Sequence, residues 1–66
     1  MEREEYEKLK SEFLQTFANV PHPLRKEIIV VIDGDTFNWH TSKAEIMHDT
    51  GKAKLILKRL RDIGVI

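Results

Sequence analysis

The chain is predicted to fold as one small α+β domain, in the order helix, β-hairpin, helix, turn, helix. Three observations predict it. Apolar residues recur at helical spacing through residues 2–19. A β-branched run, Ile28-Ile29-Val30-Val31-Ile32, leads straight into Asp33-Gly34. Two more helical patterns follow, separated near Gly51. Sixty-six residues allow one domain. A chain this short buries only about 60% of its unfolded surface, so the core is small unless a partner extends it.

In residues 2–19 the apolar positions are Tyr6, Leu9, Phe13 and Phe17, with Leu14 beside them and Val20 beyond. Their spacing places them on one stripe of a helix, and Glu and Lys fill the other positions. Glu2, Glu4, Glu5 and Glu7 fall in the first turns, where negative charge favours the positive end of the helix dipole. Pro21 and Pro23 end this helix, because each lacks an N–H donor and restricts the residue before it. His22 is held between them.

Residues 27–40 are predicted to form a hairpin around Asp33-Gly34, the dipeptide preferred where both central residues of a two-residue turn need positive φ. That turn sets a register in which Ile32 faces Asp35, Val30 faces Phe37 and Ile28 faces Trp39. One face of the hairpin is then apolar and packs on the helices. The other pairs Ile29 with Asn38 and Val31 with Thr36, and is half-covered at most.

A second helix is expected from Thr41 or Ser42, with Ser42 and Glu45 at capping-box spacing. Ala44, Ile46 and Met47 supply its buried side. Gly51 marks the break before a last helix over 52–63, in which Ala53, Ile56, Leu57 and Leu60 share one side, followed by Ile63. Gly64 is a natural stop, and Val65-Ile66 leaves room for a short third strand.

Composition bounds the function. There is no cysteine, which excludes disulfides and thiolate metal sites and fits an intracellular, cytoplasmic protein. The longest apolar run is far below the roughly 20 residues that span a bilayer, so no membrane is expected as a partner. The opening Met-Glu-Arg-Glu-Glu is too acidic for a signal or transit peptide. Eleven basic residues balance eleven acidic ones, but unevenly. Residues 1–19 carry five acids against three bases. Residues 43–66 carry three acids against six bases. The basic excess lies in the two C-terminal helices.

Residues 42–66 resemble the helix-turn-helix half of winged-helix domains, in which the second helix enters the major groove and the first braces it. Ile46, Leu57 and Leu60 stand at the positions that lock such helices together, and Gly51 stands in the turn. Met47 occupies the place where the motif favours alanine. The hairpin precedes the helix pair here, whereas the wing usually follows it. By this resemblance Lys52, Lys54, Lys58, Arg59 and Arg61 are the candidate nucleic-acid contacts. Lys54, Lys58 and Arg61 fall on one stripe of the last helix, opposite its apolar side, and Lys52 and Arg59 flank it. Leu55 interrupts the polar side and calls for cover from another element or subunit.

Val31-Ile32-Asp33-Gly34-Asp35-Thr36 resembles the V-x-D-G-D-T signature of staphylococcal-nuclease-like domains, which implies Asp35 as a metal ligand with Asp33 beside it. The match ends at Thr36. No following arginine, aspartate and glutamate run supplies the remaining catalytic groups, and the hairpin turn explains Asp33-Gly34 without chemistry. His22, His40 and His48 lack the local spacing of a zinc site. A grouping of His40, His48 and Asp49 around the second helix is a further candidate arrangement for a divalent metal. Phe37 and Trp39 are expected in the core rather than stacked on bases. No nucleophile–base pairing and no Gly-rich phosphate loop is present.

The expectation is a protein with no enzymatic activity and no cofactor. The first reading is a winged-helix-like nucleic-acid-binding protein, transcription-associated, with duplex DNA as partner. The alternative is a protein–protein interaction module or homodimerising subunit, using the half-covered sheet face at Ile29 and Val31 or the apolar stripe of the first helix.

Overall fold

The computed structural model describes residues 1–66 and shows a small α+β domain of three helices and one antiparallel hairpin. Helix α1 spans Arg3–Asn19, a 3-10 turn spans His22–Lys26, strand β1 spans Ile28–Ile32 and β2 spans Asp35–Asn38. Helix α2 spans Trp39–Met47 and α3 spans Gly51–Asp62.

Helix α1 buries Tyr6, Leu9, Phe13 and Phe17, the stripe its spacing predicts. That stripe is spent on the domain's own core, against α3 and α2, so it does not serve as a dimer seam. Arg25, on the 3-10 turn, closes the end of α1. Its Nε donates to the Val20 carbonyl at 3.1 Å and its Nη2 to the Phe17 carbonyl at 3.2 Å, and its guanidinium sits 4.4 Å from the Phe17 ring centre. The His22–Lys26 turn is therefore a folded cap on α1.

The hairpin turns at Asp33 and Gly34, with φ of 50° and 84°, as a two-residue turn of this kind requires. Val30 pairs with Phe37, Val31 with Thr36 and Ile32 with Asp35, in the expected register. Near the open end the register shifts between Ile28 and Val30, so Ile28 faces Asn38 instead of Trp39. The cause lies one residue further on. Trp39 has left the strand to become the first residue of α2. The third strand expected at Val65-Ile66 does not form; both residues pack half-buried against the core and the sheet has two strands.

Helix α2 starts at Trp39 rather than at Thr41 or Ser42, and its cap is Asn38 with Thr41 in place of Ser42 with Glu45. The Asn38 side chain accepts from the Thr41 N–H at 2.8 Å, and the Thr41 hydroxyl accepts from the Asn38 N–H at 2.9 Å. Starting two residues early turns Ser42 inward, where it is fully buried and its hydroxyl has no hydrogen-bond partner. It also carries Trp39 into an aromatic group with Phe13 at 5.6 Å and Phe17 at 6.4 Å. Phe37 and Trp39 are core residues.

Helices α2 and α3 join through His48-Asp49-Thr50. The Thr50 N–H reaches the Glu45 carbonyl and the Asp49 N–H the Ile46 carbonyl, each at 3.2 Å. Asp49 takes the left-handed position with φ 50°, and Gly51, expected in the turn, is instead the first residue of α3. Gly64, at φ 85°, ends α3 in the same manner. Helix α3 is the most deeply placed element: Ala53, Ile56, Leu57 and Leu60 are all fully buried, against α1, α2 and β1.

The cap assignment separates two substitutions. Asn38→Ala is expected to cost about 1 kcal/mol, the usual loss for a helix N-cap. Ser42→Ala removes only an unpartnered hydroxyl and is expected to leave stability unchanged or raised. Urea unfolding of both variants checks this, and the reverse ranking would refute the cap assignment.

Candidate functional site

The five cations expected to form one basic face divide into two groups. Lys52 and Arg61 are held by carboxylates on other elements. Lys52 Nζ donates to Asp35 Oδ2 at 2.5 Å and lies 5.6 Å from the Phe37 ring centre. The hydrogen bond to Asp35 raises its pKa, against a smaller opposing effect of burial. Arg61 is paired with Glu5 of α1 and, through Nη2, with Asp62 at 3.3 Å. Lys54, Lys58 and Arg59 are exposed and have no carboxylate within 4.0 Å. The stripe of Lys54, Lys58 and Arg61 is thus neutralised at its C-terminal end, because α1 packs its acidic first turns beside α3.

Beside those cations the surface is apolar. Ile28, Val31, Leu55 and Ile63 are 61%, 50%, 46% and 55% exposed. Ile28 to Val31 line one shallow groove together with Arg59 and Ile63 of α3's end. A neighbouring hollow, lined by Ile32, Leu55, Asp33, Asp62, Lys58 and Arg59, continues it. Arg59 lines both, so the groove and the hollow adjoin at its side chain, along β1 and the outward side of α3. The sequence points to part of this face. Val31 is exposed and Ile29 half-buried, in line with a sheet side that is only partly covered, and Leu55 is only partly covered within the monomer. Ile28 and Ile63 are new to it. Ile28 is turned out by the register shift, and Ile63 lies just past α3 as its cap residue.

The remaining candidates are scattered. His40 stands near His22, ring centres 6.1 Å apart, and not near His48. The His40 ring also lies 5.8 Å from that of Phe17, which Arg25 and Lys43 approach at 4.4 and 4.6 Å. No group of three or more His, Cys, Asp or Glu side chains converges anywhere in the fold. Asp33 is a turn residue with positive φ, and Asp35 is engaged by Lys52. No helix is long and apolar enough to cross a membrane.

Asp49 makes the one polar tie between α1 and the α2–α3 turn. Tyr6 donates its hydroxyl to Asp49 Oδ1 at 2.6 Å, and Lys10 Nζ donates to the same oxygen at 3.0 Å. Burial, then the hydrogen bond and negative charge of Asp49, then Glu7, push the Tyr6 hydroxyl up to about 12 from 10.0. The hydrogen bond from Tyr6, and next that from Lys10, hold Asp49 below the ordinary carboxylate range.

No known protein family, characterised protein or solved structure matches the chain.

The burial of Tyr6 and its tie to Asp49 together set a pH dependence. A raised tyrosine pKa contributes stability that is complete below pH 10.0 and is lost as pH rises through about 12. A lowered carboxylate pKa contributes stability that is complete above the ordinary Asp value and is lost as pH falls through its folded value. The melting-temperature difference between the natural protein and Tyr6→Phe is therefore expected to shrink between pH 10.0 and about 12. A difference that stays constant across that window would rule the tie out.

Proposed function

We propose that this chain is a small non-catalytic interaction domain, with its docking face along β1 and the outward side of α3. One observation carries the reading. Four large aliphatic side chains, Ile28, Val31, Leu55 and Ile63, stand about half exposed around one groove and its neighbouring hollow. Single exposed apolar residues need no explanation, whereas several gathered around adjoining hollows suit an association surface. Lys58, Asp33 and Asp62 stand at its polar margin, as at the edge of protein interfaces, and Arg59 stands between its two halves. Docking here needs no rearrangement of the domain, since β1 and α3 are both anchored in the core.

A photo-crosslinking residue placed at Ile63, with Lys8 on α1 as the control position, tests this in cells. A discrete protein adduct from position 63 and none from position 8 is expected. No adduct at 63, or equal adducts at both, would sink the reading.

A second reading is duplex nucleic-acid binding through Lys54, Lys58 and Arg59. It is favoured by their standing exposed and without carboxylate partners on one helix, which follows a three-residue turn as in helix-turn-helix domains. Three phosphate contacts would weaken binding to random duplex DNA by about 40-fold between about 50 and 200 mM salt. Affinity that is flat with salt, or no binding at the lower salt, would remove this reading.

A further inference from the structure

We infer that the trough between strand β2 and helix α2 is a separate binding site, and that it takes a short extended peptide segment carrying a basic side chain. The trough shares no lining residue with the face along β1 and α3, so the two stand or fall apart.

The trough is the largest hollow in the molecule, about 600 Å³, within the size range of ligand sites. One wall is β2, through Asp35, Thr36 and Phe37. The other is one face of α2, on which Thr41, Ala44, Glu45 and His48 stand three and four residues apart. The walls meet at Asn38 and Thr41, whose two hydrogen bonds hold strand and helix together without a linker. Toward the hairpin turn, Lys52 reaches Asp35. Walls fixed in this way need no ordering when a ligand enters.

The backbone of β2 selects an extended occupant. Ile32 and Asp35 flank the two-residue turn and exchange both of their hydrogen bonds. The next pair, Val31 and Thr36, is therefore a non-hydrogen-bonded one, and the N–H and C=O of Thr36 point away from β1, along the open edge of β2. Thr36 is exposed and lines the trough. A free donor and acceptor side by side on a strand edge are completed by another strand. The open edge of β1 is interrupted by the register shift between Ile28 and Val30, whereas β2 pairs regularly from Asp35 to Phe37. Side chains alternate along a strand, so the residue paired with Thr36 points away from the helices. Its two neighbours point to the Phe37 side, into the trough.

Charge selects among such segments. Asp35 is paired with Lys52, but Glu45 has no cation within 4.0 Å. A lysine or arginine next to the paired residue completes the Glu45 carboxylate. Ala44, the small residue of that wall, leaves space for the aliphatic stem.

The test is panning of displayed random peptides of about eight residues on the full chain, followed by amide NMR titration with one synthesised winner. Winners are expected to share a lysine or arginine, and the titration to shift Thr36, Ala44 and Glu45. Methylating the peptide nitrogen that pairs with Thr36 is expected to raise the dissociation constant at least about tenfold, and methylating its neighbour much less, since one hydrogen bond is lost. Glu45→Lys, an exchange on an accessible helix face, is expected to abolish the preference for basic residues, whereas Lys8→Glu on α1 leaves it. The proton spectrum of each variant establishes that it is folded. No enriched peptide would overturn the inference. So would winners that shift Val31, Leu55 and Ile63 instead, winners with no basic residue, or binding indifferent to methylation at every position.

Discussion

Everything in this fold depends on the inward side of α3. Ala53, Ile56, Leu57 and Leu60 are fully buried, and α1, α2 and β1 each pack on that helix. A domain of this length has room for one core, and here thirteen buried residues make a single connected cluster. Ala53 is the small member, placed where α3 leaves the turn from α2. A larger side chain there would have to displace neighbours in a fully packed interior. The outward side of the same helix is then what the domain has left to show, which is why the cations and the exposed Leu55 end up together.

The charge distribution changes meaning once the chain is folded. Read along the sequence, an acidic N-terminal third and a basic C-terminal third stand far apart. In the fold they lie side by side. Glu5 meets Arg61, Asp35 meets Lys52 and Asp49 meets Lys10, so three pairs link segments of opposite sign. Exposed pairs of this sort add little stability. Their effect is on the electrostatic surface: they remove two of the five cations from the face on which a polyanion would be read. What remains is a mixed margin around an apolar patch.

Much of this was legible in the residues. The α1 stripe, the Asp33-Gly34 turn, the inner register of the hairpin and the buried side of α3 follow from periodicity and turn chemistry, which act over a few residues. The failures sit where two local rules compete. Ser42-Glu45 and Asn38-Thr41 both fit a helix start, and the burial of Trp39 against Phe13 and Phe17 favours the earlier one. That choice removed Trp39 from the hairpin, shifted the register at Ile28 and exposed it. Gly51 looked like the turn residue because glycine tolerates positive φ, but Asp49 takes that position, tied to Tyr6 and Lys10 over forty residues away or nearly so. For the candidate site, the cations were visible and their partners were not, since Glu5 and Asp35 are distant in sequence. Of the apolar face, Val31 was foreseeable as only partly covered and Leu55 as in need of cover, whereas Ile28 and Ile63 depend on the register shift and on where α3 stops.

One feature of the connections has a mechanical consequence. Asn38 is at once the last residue of β2 and the cap of α2, so no linker separates hairpin from helix. A joint of zero length, clamped by two hydrogen bonds across Asn38 and Thr41, cannot act as a hinge. Hairpin and α2 therefore form one lever, and a push on the tip at Gly34 is passed to α2 with no intervening slack. On the other side of the hairpin the stretch from Pro21 to Glu27 is a 3-10 turn that Arg25 ties back to the end of α1, so the chain enters the hairpin from a fixed point as well.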